Sequence, residues 1–418
     1  MTSALQELAM WRRVHVADVC ETVSVGIVIQ PSQYYVAPSQ GIRAFRSANV
    51  GENRIVDRDW VYLSPEGHRA NSKSSLRAGD VLVVRSGAPG TACVVTDEYA
   101  GSNCIDIVFA RPHQDQVLPK YLAEFTNSPV GRRHVLGTQG GLALKHFNVG
   151  AYKQLELLLP EVAEQKRIVD LFAAWETAIQ KTEHLIAAKE RHYSHELSRL
   201  ISRGQHPHAH VGTSAEEVSA RSPRGTPALL GDYLTESREP DTDQDPAKRL
   251  TVRLHLQGVE SRPVRGTDRD GATAYFRRHA GQLIYGKQNI FRGAIGIIPP
   301  KLDGCASTQD LPAFDIADGI DPQWLYFWLS RKDFYTSLEA LATGSGSKRL
   351  HPEEFFKVRI YIPDFATQTA IARYLNALRD EIDLLGQSVA ALKTQKRGLM
   401  QKLLTGQWRL PVPEQEGA

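Results

Sequence analysis

Cysteine is scarce in this chain: Cys20, Cys93, Cys104 and Cys305 are the only four among 418 residues, and no two are spaced C-x-x-C. That argues against a zinc ribbon or a disulfide framework and fits a reducing cytoplasm, the expected location. No apolar run approaches the roughly 20 residues of a membrane-spanning helix, so no membrane is expected among its partners. The first thirty residues lack the charged start and apolar core of a signal peptide. A large excess of either charge is missing too. A net charge of +3 argues against a histone-like coat but allows a nucleic-acid reader whose Arg and Lys gather on one face.

Three catalytic signatures are also absent. There is no N/D-P-P-Y/F stretch to hold a flipped adenine; "IIPPK" at 297–301 lacks the polar first residue and the aromatic last one. There is no G-x-x-x-x-G-K-S/T phosphate loop. In "ATGSGSKRL" (342–350) the glycines are misplaced, and Lys348 precedes Arg349. No cluster suggests a metal nuclease, and "HPHAH" at 206–210 reads as polar linker rather than a metal site.

What the chain does have is an internal repeat, the first thing to seek in a long sequence. "LPKYLAEFTNSP" (118–129) is similar to "DPQWLYFWLSRK" (321–332), and "LELLLPEVAEQKRI" (155–168) to "VRIYIPDFATQTAI" (358–371). Pro119 and Pro322, Pro160 and Pro363, and Gln165 and Gln368 each lie 203 residues apart. So do Lys145 and Lys348, Ile179 and Ile382, and Leu200 and Leu403, so the register holds from about 119 to 201. Upstream it slips by one, where "LRAGDVLVVRSGAPG" (76–90) meets "RHAGQLIYGKQNIFRG" (278–293), and the earliest parts barely match.

Each copy opens with short strand-like runs, such as 80–84, 104–110, 282–286 and 294–299, separated by Gly, Pro, Asn and Asp. A helix is expected near 118–135 and again near 321–341, then a Gly-rich loop, a final strand, a proline and a long helix. In the second long helix Ile371, Leu375, Leu378, Ile382, Leu385, Val389, Leu392, Lys396, Leu399 and Leu403 alternate by four and three. In the first the seam is Ile168, Phe172, Trp175, Ile179, Thr182, Ile186, Lys189, Tyr193, Glu196 and Leu200. Such a stripe keeps one face toward a partner helix. The two helices are expected to pair with each other, the alternative being that each packs on its own domain. The expected organisation is a β-rich domain at 1–160, a long helix at 161–203, a linker at 204–227, a second β-rich domain at 228–363, a second long helix at 364–405 and a loosely held tail at 406–418.

The two helical stretches and the closing "LMQKLLTGQWRLP" resemble the specificity subunits of Type I restriction–modification systems. "GIRAFRSANV" (41–50) and "AGDVLVVRSG" (78–87) resemble pieces of that family's target-recognition domains, although "AGQLIYG" in the second copy lacks the acidic residue that usually follows the glycine. The resemblance implies an α+β fold: two β-rich target-recognition domains, each followed by a long helix, the two helices pairing as an antiparallel coiled coil that spaces the halves of a bipartite, asymmetric site. It implies a non-catalytic subunit that binds double-stranded DNA. Its implied partners are two DNA adenine methyltransferase (modification) subunits and a translocating restriction subunit. S-adenosylmethionine, ATP and Mg are expected on those partners and no cofactor on this chain. A relative serving a fused methyltransferase–nuclease, or a coiled-coil scaffold without DNA specificity, remain the alternatives.

For reading bases, Arg suits guanine and Asn or Gln suits adenine, while Gly admits close backbone approach. The loops that mix these types supply the candidates. In the first copy these are Arg43, Arg46, Asn49, Arg85, Ser86, Thr138, Gln139, Gly141, Lys145 and His146. In the second they are Lys287, Gln288, Asn289, Arg292, Gly344, Ser345, Ser347, Lys348 and Arg349. Gly141 and Gly344 coincide in the repeat, as do Lys145 and Lys348, so these last loops are the strongest pair.

Overall fold

The computed structural model describes residues 11–137, 148–201, 225–264, 274–344 and 347–410. The chain divides into two compact units, 1–183 with 387–418, and 184–386. Both divisions fall inside the long helices, so the first unit draws on both ends of the chain.

The heart of the first unit is an antiparallel sheet in the order Cys20–Val25, Ile107–Pro112, Val81–Val84, Ala92–Val94. Its middle strands read as unbroken apolar runs because both faces are covered. Val81, Val83, Val108 and Ala110 face a core that includes Tyr121, Leu122 and Phe125 of the helix Pro119–Asn127. Leu82, Val84, Ile107 and Phe109 face a second core with Phe45 and Val50. The second unit repeats this order as Leu234–Ser237, Ala313–Ile316, Leu283–Tyr285, Ile295–Ile297. A two-stranded ribbon accompanies each sheet: Arg12–His15 with Glu156–Leu159, and Thr226–Leu229 with Arg359–Ile362. The duplication thus extends into the sheets, where the sequences have drifted apart. Thr226 and Pro227, expected in the linker, pair with Ile362 and Tyr361 in this ribbon.

Each expected single helix before the Gly-rich loop is broken. The first splits into Pro119–Asn127 and Pro129–Gly137, the second into Pro322–Leu329 and Lys332–Ser337 followed by a 3-10 turn. Ser128 is extended, the conformation forced on a residue before proline.

The repeated glutamines hold each long helix to its domain. Gln165 accepts from Leu118 N at 2.8 Å and donates to Gln116 O and Pro160 O, both at 2.8 Å. Gln368 accepts from Asp321 N at 2.8 Å and donates to Gly319 O at 3.0 Å and Pro363 O at 2.9 Å. Both are fully buried, and every partner keeps the repeat register.

The missing acidic residue of the second copy is compensated. Asp80 accepts from Arg77 N at 2.7 Å and from Arg111 Nε and Nη2, both at 2.8 Å. Gln282 makes the same turn-closing bond, accepting from His279 N at 2.9 Å, and donates to Asp315 at 2.8 Å. The carboxylate has moved to the neighbouring strand, and the turn survives.

The long helices are α1, Val162–Ile201, and α2, Phe365–Leu404, each of 40 residues and so about 60 Å long. They run antiparallel. In the first unit Ile168 and Phe172 share a core with Met400, Leu403 and Leu404, and Lys396 Nζ meets Glu176 at 2.8 Å. In the second unit Ile201 shares a core with Ala372 and Leu375, and Lys189 Nζ meets Glu381 at 2.7 Å. Lys396, only 6% exposed, is thus paired across the helices, whereas Glu196 holds Arg199 Nε at 3.1 Å on its own helix. Trp175 is half-buried on the seam.

The tail, expected to be loose from residue 406 onward, is held as far as Leu410. Arg409 grips the buried Glu164 with Nε at 2.8 Å and Nη2 at 2.7 Å, and Trp11 Nε1 donates to the same carboxylate at 3.1 Å. An ion pair with two charge-assisted bonds gives this stretch the anchor that its composition concealed. Among the described residues no helix is long and apolar enough to cross a membrane.

Candidate nucleic-acid interface

In the first unit three of the expected residues gather beside Asp106. This residue adopts a left-handed backbone (φ 49°), and its carboxylate pairs with the Arg85 guanidinium and lies 3.5 Å from the Ser86 hydroxyl. An open pocket of about 500 Å³ lies beside them, lined by Arg46, Ser47, Ala48, Asp59, Ile105 and Asp106. Arg46 donates through Nη2 to Asp59 O, while its buried Nε has no partner among the described residues. The Arg46 guanidinium at the rim of an open pocket suits an acceptor arriving from outside, either a phosphate oxygen or a guanine edge.

Asn49 has a different role. It is fully buried, accepting from Arg46 N at 3.0 Å and donating to Arg58 O at 2.7 Å and Val56 O at 3.3 Å. Its amide shapes the loop that carries Arg46 and is not presented to solvent. Arg43 lies against an aromatic cluster, its guanidinium 5.7 Å from the Trp60 ring and 5.5 Å from that of Tyr99, with Glu98 at 3.8 Å. The two rings stack at 5.4 Å, and a hydrogen bond with Tyr62 pushes the Arg43 pKa upward. The arginine is thus held in place by π-faces as well as charge.

In the second unit the two candidate loops meet. Leu350 N donates to Lys287 O at 2.9 Å, tying the 343–349 hairpin to the 286–293 loop. Thr343 and Arg349 close the hairpin through reciprocal bonds of 3.0 and 2.9 Å. Gly344 is required there: its φ is +116°, and an added Cβ would stand 2.7 Å from Ser347 O. With its amide oxygen toward the guanidinium, Gln288 accepts from Arg349 Nε at 3.1 Å and Nη2 at 2.6 Å. Asp310 lies 3.7 Å from Arg349, and Lys348 pairs with Glu339 at 3.0 Å. Asn289 precedes the short turn Ile290–Arg292 without a capping side-chain bond, and Arg292 is exposed. Lys287, Gln288, Lys348 and Arg349 therefore lie on two loops that the backbone ties together, with Gln288 and Arg349 joined by their side chains. Thr138, Gln139, Gly141, Lys145, His146 and Ser345 lie outside the described residues.

Sequence reasoning missed the organisers of these sites: Asp106, Asp310, Trp60 and Tyr99. An isolated Asp or aromatic carries no pattern, and these residues reach their arginines only through the fold, across 17 or more positions.

No family model matches the chain. Solved structures do. One is a chain from work on complex assembly and conformational transition of the type I R-M system, at 16% identity and TM-score 0.60, covering 95% of this chain and 98% of that one. A second is the Type-I restriction-modification system S subunit from M. genitalium, at 12% identity and TM-score 0.53, covering 94% and 96%. A third, the HsdS subunit from Thermoanaerobacter tengcongensis, matches at 16% identity and TM-score 0.49 over 96% and 97%. From its two duplicated β-rich units to its antiparallel helices, this chain has the fold of the S subunits of Type I restriction–modification systems.

Proposed function

We propose that the chain is the DNA sequence-specificity subunit of a Type I restriction–modification enzyme, each β-rich unit reading one half of a bipartite, asymmetric site. The observation that carries this reading is the full-length match, both units and both helices together, to a type I R-M chain. The grouping of Arg46, Arg85 and Ser86 in one unit, and of Lys287, Gln288, Lys348 and Arg349 in the other, supports it. Arg and Gln at loop ends are the side chains that grip guanine and adenine edges bidentately. On this reading the chain does no chemistry itself. Two modification subunits methylate adenine with S-adenosylmethionine, and a restriction subunit using ATP and Mg joins them.

Methylome sequencing of cells with and without the gene tests the reading. A bipartite methylated site is expected to vanish with the gene, and the rigorously purified chain is expected neither to methylate nor to cut DNA. Replacing residues 1–155 with the matching part of a relative should change one half of the methylated site. Methyl transfer by the pure chain, or a change in both halves, would overturn the assignment.

A further inference from the structure

The first unit carries an apolar tip that stays exposed among the described residues. Val28 is 53% exposed and Ile29 is 78% exposed, side by side. Single exposed hydrophobics are ordinary, but an adjacent pair at a loop tip leaves apolar surface whose burial against a partner is favourable. The root of this tip is fixed. Gly26 passes so close to the neighbouring strand that a Cβ there would stand 2.2 Å from Cys104 O. Ile27 is buried with Ala44, Leu63 and Ile105. Its N–H donates to Cys104 O at 2.9 Å, and its carbonyl accepts from Asp106 N at 3.0 Å. Gln30, at φ +42°, then turns the chain immediately after Ile29, and Pro31 follows.

The position of the tip identifies its occupant. Asp106 and Ile105, which hold its root, also line the pocket beside Arg46, and Asp106 pairs with Arg85. An apolar projection rooted beside a pocket that Arg46 lines complements a duplex, whose phosphates meet the cation while its stacked bases present apolar faces. Because the root is rigid, little ordering free energy is lost when the tip is buried.

We propose that Ile29, supported by Val28, is a wedge that enters the duplex at one base step of the half-site read by the first unit, partly unstacking it while Arg46 and Arg85 hold the flanking backbone or base edges. Branched apolar side chains are among those that part base steps in this way. The proposal rests on the DNA-specificity reading above.

The test uses the complete enzyme and duplexes of its methylome-defined site. 2-Aminopurine is placed in turn at steps within and beside each half-site, apart from the methylated adenine. The wild-type enzyme is expected to raise fluorescence several-fold at one step of the first unit's half-site. Ile29→Ala should return that signal toward the free duplex and weaken specific binding by roughly tenfold or more, as loss of a wedge would. Ile29→Leu should restore both. Ile29 is exposed, so thermal melting should be the same for all three proteins. Site-specific binding with a silent probe at every step overturns the wedge alone. So does a binding loss reproduced by thymine-to-uracil exchange, which would indicate methyl contact without unstacking. So does release of the modification subunits by Ile29→Ala, which would make the tip a protein contact. Absence of any site-specific binding would overturn the DNA reading and the wedge together.

Discussion

Among single residues, Glu124 is the most out of place. It sits on the helix Pro119–Asn127, only 7% exposed, and its Oε2 has no partner among the described residues. Burial pushes its carboxyl from 4.5 to about 7, against the pull of Lys396. A pKa raised by folding means that the folded state binds more protons between the two values. Stability therefore falls as pH rises from about 4.5 to about 7 and stays lowered above that. Glu124→Gln keeps the shape and removes the charge. It is expected to stabilise the first unit at pH 8 by roughly 3 kcal/mol, with the gain disappearing near pH 4. Urea unfolding at pH 4, 6 and 8 checks this, and a wild-type protein whose stability is level across that range would contradict it.

At the scale of elements, the register of 203 residues, the strands near 80–84 and 282–286, and both helical seams were legible because they are periodic. Less legible was what the conserved spacing secures. The coincidence of Gln165 with Gln368 is visible in the sequence, but the three bonds that each makes are not, since they end on backbone atoms. Nor could the sequence reveal that Asp80 with Arg111 and Gln282 with Asp315 close the same turn. The candidate sites were legible as loops but not as assemblies: Asn49 looks like a base reader until its amide is found bonded inward. The clamps give a prediction. Gln165→Ala and Gln368→Ala each strand buried polar groups and should cost about 3 kcal/mol. Hydrogen exchange should quicken at Leu118 in the first variant and at Asp321 in the second. Equal loss of protection in both units from either change would show that the clamps do not act locally.

For the whole molecule, the boundaries at 183 and 386 matter more than the order of domains along the chain. The first unit includes Met400, Leu403 and Leu404 in its core and Arg409 on Glu164, whereas the second lies within one continuous stretch. Removing residues 387–418 should therefore strip protection from the first unit and leave the second folded. Hydrogen exchange resolved by peptide would read this directly. Retained protection around Ile168 and Phe172 would mean that the N-terminal segment closes without its distant partner.

The grip of Arg409 on Glu164 also sets an order of events during synthesis. Everything the second unit needs has been made once Gly386 is joined, but the first unit, begun earlier, still lacks part of its core. At roughly 5–20 residues per second, some 10–40 seconds separate Glu183 from Gln387 on the ribosome. Through that interval Ile168 and Phe172 wait without Met400 and Leu403, presenting apolar surface to whatever is nearby. The half of the protein that is translated first is thus the half that is finished last.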